Sequence, residues 1–176
     1  MASGPFFIGI VGWKNSGKTT LVERLVPILI RRGHRVATVK HTHHALRALD
    51  GGTDGERHAH AGASEAIVIA PHTWEISGRP QAGPPPDLTQ LRARLGGVDL
   101  VLVEGFKSAP IPKIEVRRRA SSTQEPLAPG DANVIAIAAD YSVDASGLPL
   151  FDLDDAEGIA AFVETFLAAP DNKVQR

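Results

Sequence analysis

The run Phe6–Thr20, FFIGIVGWKNSGKTT, restricts this chain more than any other stretch. An apolar segment leads into Gly12-x-x-x-x-Gly17-Lys18-Thr19, and a helical pattern follows at once. That is a phosphate-binding loop in its strand–loop–helix setting. Each part has its own physical task. Gly12 and Gly17 let backbone N–H groups curl around phosphate oxygens without a Cβ in the way. Lys18 brings a point charge to the β- and γ-phosphates, and Thr19 offers a hydroxyl to Mg²⁺. The helix start adds partial positive charge. The alternative is a glycine-bearing turn between a strand and a helix. The loop implies a nucleoside triphosphate with Mg²⁺ and leaves the base and the purpose of binding open.

The rest of the chain reads as an α/β domain of the P-loop kind, with three layers and a mostly parallel sheet carrying helices on both faces. Phe6–Val11 is the first strand. A helix follows over about Gly17–Arg32, with Leu21, Leu25 and Leu29 at helical spacing, Pro27 inside it as a kink or a lost hydrogen bond, and Gly33 as its stop. Arg35–Lys40 is a second strand. Residues 41–63 are polar and rich in histidine, with a short helix capped by Asp54. Ala66–Ala70 is a strand, and Pro71–Asp87 is a loop or a small irregular hairpin. Asp87 and Gln90 form a capping box for a helix over Leu88–Leu95. Val98–Val103 is a central strand. Lys113–Arg118 alternates as an edge or antiparallel strand. Val134–Ala139 is buried, and Leu150–Leu153 is the last strand. Asp154 caps a terminal helix, with Glu157 at the capping-box position and a stripe of Ile159, Phe162, Val163, Phe166 and Leu167. Residues 1–169 read as one nucleotide-binding domain and 170–176 as a frayed tail.

Composition narrows the function classes. The chain has 176 residues, 43% of them hydrophobic, a net charge of −1 and no cysteine. The charge gives no basic field for nucleic acid or anionic lipid. Without cysteine, disulfides and thiolate metal sites are excluded. No apolar stretch approaches the roughly 20 residues that span a bilayer. The N-terminal MASGPFF has no basic region of a secretory signal, so the expected location is the cytoplasm.

Several residues outside the loop carry chemistry. Glu104 ends the strand beside which a nucleotide lies and is a candidate Mg²⁺ ligand together with Thr19; otherwise it is a cap or a surface acid. Gly105 is placed to bring its N–H to a γ-phosphate. Asp99, at the strand's start, is structural. Asp140, at the end of another strand, suits the paired N–H donors of guanine, although Ala138 and Ala139 stand where a guanine motif places its Asn/Thr and Lys; otherwise it is a turn residue. His41, His43, His44, His58 and His60, with Asp54 and Glu56, are either a metal site or part of a mobile segment that senses the nucleotide through Asp54, Arg57 and His58. Lys14 is a solvated loop charge or reaches a neighbouring subunit. Lys113, Glu115 and Arg117 are a solvated ion-paired face or a partner surface. Arg117–Arg119 is too short a basic run for nucleic acid.

In order along the chain, GWKNSGKTTL at 12–21, VKHTHH at 39–44, D-x-x-R-H-x-x-A-G-A at 54–63, VDLVLVEGFK at 98–107 and PKIEVRR at 112–118 resemble the molybdopterin-guanine dinucleotide biosynthesis protein B (MobB) family. The resemblance runs from about Phe6 to Leu167. It implies a GTP- and Mg²⁺-binding protein with weak GTPase activity, homodimeric, similar to the signal-recognition and MinD class of GTPases. Such a protein assists the guanylyltransferase MobA in making molybdopterin guanine dinucleotide, with molybdopterin itself a possible ligand. Carried over by position, Asn15–Thr20 hold phosphates, Thr19 and Glu104 the metal, and Asp140 the base. The MinD-type loop has its signature lysine directly after the first glycine. Trp13 stands there, and Lys14 comes one later. Competing readings are a small-molecule kinase, with Arg79 as a lid residue, and a metallochaperone GTPase using His41 and His43.

Overall fold

The computed structural model describes residues 4–42, 53–78 and 86–168. It divides into two units, one of residues 1–41 and 92–176 and the other of residues 42–91. The expected tail at 170–176 lies outside the described residues.

The first unit is built on six parallel strands. In chain order these are β1 (Phe6–Val11), β2 (Val36–Lys40), β5 (Leu100–Glu104), β6 (Lys113–Arg117), β7 (Val134–Ala139) and β8 (Leu150–Asp152), paired as β2-β5-β1-β6-β7-β8. The phosphate loop thus leaves a strand flanked on both sides. Helices α1 (Lys18–Arg31) and α4 (Ala156–Ala168) pack together on one face. Alternate residues Ile8, Ile10, Leu100, Leu102, Ile114, Val116, Ala136 and Ala138 meet Leu21, Leu25 and Leu29 of α1 and Ile159 and Val163 of α4. The period of two in the strands and of 3.6 in the helices thereby close one apolar layer. Helix α1 continues through Pro27 to Arg31, with Arg32 as its C-cap and Gly33 in the left-handed region at φ 94°. No helix among the described residues is long and apolar enough to cross a membrane.

Strand β6 departs from expectation. It is neither an edge nor antiparallel. It lies parallel between β1 and β7, and Lys113 and Glu115 are each 1% exposed. The Lys113 and Glu115 charges are satisfied inside the protein rather than by water, while the buried Arg117 Nε has no hydrogen-bond partner among the described residues. Lys113 Nζ donates to Asp131 Oδ2 at 2.6 Å. Glu115 accepts from the backbone N–H groups of Leu127 (2.8 Å) and Ala128 (2.9 Å) and from Arg117 Nη2 (2.8 Å). Partial burial pushes the Asp131 carboxyl up, but hydrogen bonds from Lys113 and Asn133 outweigh it, and its pKa lies below the ordinary value. Gly9 faces Lys113 across the ladder, and a Cβ there would stand 2.9 Å from the lysine Cγ. A glycine in β1 therefore makes room for the buried lysine stem. Together these contacts bind residues 127–131 onto the sheet.

Two helix caps fall one residue from their expected positions. Helix α4 is capped by Asp155, whose Oδ1 accepts from Gly158 N at 2.9 Å. Asp154 instead pairs with Arg24 at 2.5 Å, and Glu157 pairs with Arg31 and Arg32. In the second unit α2 (Asp54–His60) is capped by Thr53, which exchanges hydrogen bonds with Glu56. That unit also contains the antiparallel hairpin β3 (Glu65–Ala70) and β4 (Thr73–Gly78), against which α2 packs. Helix α3 (Leu88–Arg94) begins with the expected capping box, Asp87 to Gln90 in both directions at 2.8 and 3.0 Å. Asp99 holds Arg35 through side chain and backbone, and these bonds lower its pKa to about 2.

Candidate functional site

At the carboxyl end of β1 the chain turns through Gly12 at φ 153°, Asn15 at φ 64° and Gly17 at φ 91°. Gly12 has no space for a side chain: a Cβ would stand 2.4 Å from the Val116 carbonyl oxygen and 2.6 Å from Ser16 Oγ. Asn15 takes a left-handed conformation that a non-glycine residue adopts at a cost, and asparagine tolerates it better than most. The glycine pattern alone did not reveal that. Gly17 is the N-cap of α1 and brings no side-chain cap. The first-turn amides of Lys18, Thr19 and Thr20 therefore keep no helical acceptor and point out of the helix start. Ser16 is 1% exposed.

Lys18 lies back over the loop. Its Nζ donates to the Trp13 carbonyl at 2.7 Å and to Ser16 Oγ at 3.4 Å. Burial lowers its pKa most, Glu104 opposes the shift, and the ammonium groups of Lys107 and Lys40 add to it. A phosphate chain would reverse that pressure by bringing negative charge to a place where positive charges crowd.

Thr19 and Glu104 come together as expected. Thr19 Oγ1 donates to Glu104 Oε1 at 2.8 Å. The Glu104 side chain is 12% exposed, and Lys40 Nζ is 3.1 Å from the same carboxylate oxygen. A hydroxyl and a carboxylate are hard oxygen donors of the kind Mg²⁺ takes in pairs, with phosphate oxygens and water completing its shell. The donor set fits that ion. Among the described residues no group of three His, Cys, Asp or Glu side chains is arranged to hold a metal alone. His43 and His44, two of the five histidines between residues 41 and 60, and Arg79 lie outside the described residues.

Gly105 differs from expectation. Its N–H donates to the Ile10 carbonyl at 3.2 Å, which ties β5 to β1 and takes that amide away from a phosphate. Its φ of 94° turns the chain into Phe106 and Lys107. Lys107 Nζ stands 3.5 Å from the centre of the Trp13 ring. Trp13 Nε1 donates to the Glu125 carbonyl at 2.6 Å, and Ser121 Oγ donates to the Lys14 carbonyl at 3.0 Å. Two segments remote in sequence thus brace the loop. The Lys107–Trp13 contact was missed from sequence. Its signal was a tryptophan inside the loop, matched by a lysine three residues past Glu104.

Asp140 stands just beyond β7. Its Oδ1 accepts the Arg119 N–H at 2.7 Å, and Oδ2 is 3.6 Å from Arg118 Nε. It lines a recess with Gly17, Thr20, Leu21, Arg24, Arg118, Leu153 and Asp154. Thr20 and Asp140, distant in sequence, share that recess at the start of α1.

Residues 7–140 match the family model for molybdopterin guanine dinucleotide synthesis protein B. A molybdopterin-guanine dinucleotide biosynthesis adapter protein of Haemophilus influenzae is 38% identical over 162 residues, covering 91% of this chain and 88% of the relative. The adapter protein of the same name from Escherichia coli is 35% identical over 158 residues, covering 89% and 90%. A crystal structure of molybdopterin-guanine biosynthesis protein B superposes with a TM-score of 0.71 at 29% identity, covering 92% of this chain and 99% of that one. The shared architecture is the three-layer α/β P-loop fold with a mostly parallel sheet. Matching sequence over most of its length and matching fold together show that this chain belongs to the molybdopterin-guanine dinucleotide synthesis protein B (MobB) family.

Proposed function

We propose that this chain is a Mg²⁺-dependent GTP-binding adapter protein in the synthesis of molybdopterin guanine dinucleotide. It works as a homodimer in the cytoplasm and assists the guanylyltransferase MobA, with slow GTP hydrolysis secondary to binding. The observation that carries the reading is the convergence of Lys18, Thr19 and Glu104 around an uncapped helix start whose loop has no space for a Cβ at Gly12. In it the first-turn amides and Lys18 bind the phosphate chain, and Ser16 keeps the loop in shape. Thr19 and Glu104 hold Mg²⁺, which neutralises phosphate charge when bound. Asp140 reads the base from the recess beside Thr20. Trp13, Lys107 and residues 121–125 keep the loop in its binding conformation, so little ordering cost remains when the ligand arrives.

Calorimetry with GTP and ATP side by side, each with Mg²⁺, tests the reading. GTP is expected to bind more tightly, and Lys18→Ala to abolish binding while the far-ultraviolet circular dichroism stays unchanged. Unaltered GTP affinity in that variant refutes the site. Titrating the nucleotide-loaded protein with the guanylyltransferase then tests the adapter role.

A further inference from the structure

Lys40 closes β2, and its register partner on β5 is Glu104. Register partners on adjacent parallel strands project to the same face of a sheet. Both side chains therefore emerge together at the carboxyl edge, beside the start of α1. Lys40 Nζ lies 3.1 Å from Thr19 Oγ1 and 3.1 Å from Glu104 Oε1, and Thr19 itself donates to that carboxylate oxygen. The three groups form a closed triangle on the two side-chain oxygens assigned above to Mg²⁺.

An ammonium and a magnesium ion would compete for those oxygens, since both are cations drawn to the same hydroxyl and carboxylate. Glu104 is largely withdrawn from water, so its charge needs a nearby positive partner. Lys40, at 55% exposure, has a clear path into solvent when displaced. Lys18 also feels the Glu104 charge, but its Nζ bonds Trp13 and Ser16, and it is Lys40 that sits in ion-pair contact with that carboxylate.

We propose that Lys40 is a built-in counter-cation. It holds Thr19 and Glu104 in the nucleotide-free protein and exchanges them for Mg²⁺ delivered with a nucleoside triphosphate. The inference rests on the nucleotide reading above and deepens it. A bare divalent cation must compete with Lys40 for two oxygens and gains little. A cation already on a triphosphate brings phosphate ligands of its own, and the displaced ammonium finds a new anion beside it. Lys40 thus makes the site selective for the metal–triphosphate complex over the free metal.

Mn²⁺ is the probe, its free concentration read by electron paramagnetic resonance in the nucleotide-free full-length protein. Lys40→Met is expected to bind Mn²⁺ about two- to fivefold more tightly than wild type, the range of a partly exposed ion pair. Lys40→Arg, which keeps the charge, is expected to stay near wild type. Adding Glu104→Gln to Lys40→Met is expected to erase the gain. Equal or weaker Mn²⁺ binding by Lys40→Met, in protein that melts like wild type and still takes up Mn²⁺–GTP, overturns the counter-cation role and leaves the nucleotide site standing. Wild-type protein that fails to take up Mn²⁺–GTP overturns both.

Discussion

Removing the Glu115 side chain provides the most demanding check on how the site is supported. Its carboxylate is 1% exposed and accepts three hydrogen bonds, from Leu127 N, Ala128 N and Arg117 Nη2. Glu115→Ala leaves two backbone donors without their acceptor, at about 1 kcal/mol or more each. It also leaves Arg117, whose side chain is 10% exposed, without its charge partner. Breaking a buried pair costs about 3–5 kcal/mol. Relaxation of residues 127–128 toward water overlaps these costs, so the expected loss is about 3–5 kcal/mol. That is a large part of the ~5–15 kcal/mol of a typical domain. At about 2–4 °C per kcal/mol for a chain of this size, the melting temperature falls by about 6–20 °C. Urea and thermal denaturation measure it, with Glu23→Ala on an exposed face of α1 as the comparison. Adding Arg117→Met to Glu115→Ala is expected to recover part of the loss, since it removes the stranded charge. Because residues 121–125 brace the phosphate loop through Lys14 and Trp13, nucleotide affinity is expected to fall with stability. A loss under about 1 kcal/mol, equal to a surface substitution, would falsify the view that Glu115 anchors this segment.

Further outcomes follow from the same contacts. Gly12→Ala drives a Cβ into the Val116 carbonyl and Ser16 Oγ, and it is expected to cost about 1–3 kcal/mol of stability and to abolish nucleotide binding in calorimetry; retained binding contradicts the geometry of the loop. Asp140→Ala is expected to narrow the preference for GTP over ATP by about tenfold or more, the scale of a bidentate base contact, and an unchanged ratio removes Asp140 from base recognition. Asp99, held at about 2 by Arg35, has a folded pKa below its unfolded value of ~3.9. Its contribution is complete above about pH 4 and is lost as pH falls toward 2. Asp99→Asn is therefore expected to flatten the acid limb of the stability profile in that window, and parallel profiles for the two proteins would contradict it.

The phosphate loop, the strand before it and the helix after it could be read directly from sequence. Their geometry follows from consecutive residues: two glycines, a lysine at the helix start and an apolar run. The meeting of Thr19 with Glu104 was also within reach, because strand ends in a parallel sheet gather along one edge. The reading failed where polar residues were judged without their partners. Lys113 and Glu115 alternate like a solvated face, yet Asp131 and the amides of Leu127 and Ala128 satisfy them in the interior. The cap at Asp155 shifted by one because adjacent acids are equivalent candidates until one is drawn elsewhere, as Asp154 is by Arg24; the cap at Thr53 shifted because Thr53 and Glu56 form a reciprocal capping box one residue before Asp54.

Sequence alone established a glycine-bearing backbone cradle between a buried strand and a helix, since local backbone geometry and side-chain chemistry suffice for that. The folded structure assigned the cradle its neighbours: Lys40 in register with Glu104, Lys107 over Trp13, and a buried charged strand beside the loop. Strand order and register select which distant residues meet, and they arise from the burial of the whole sheet rather than from any one segment.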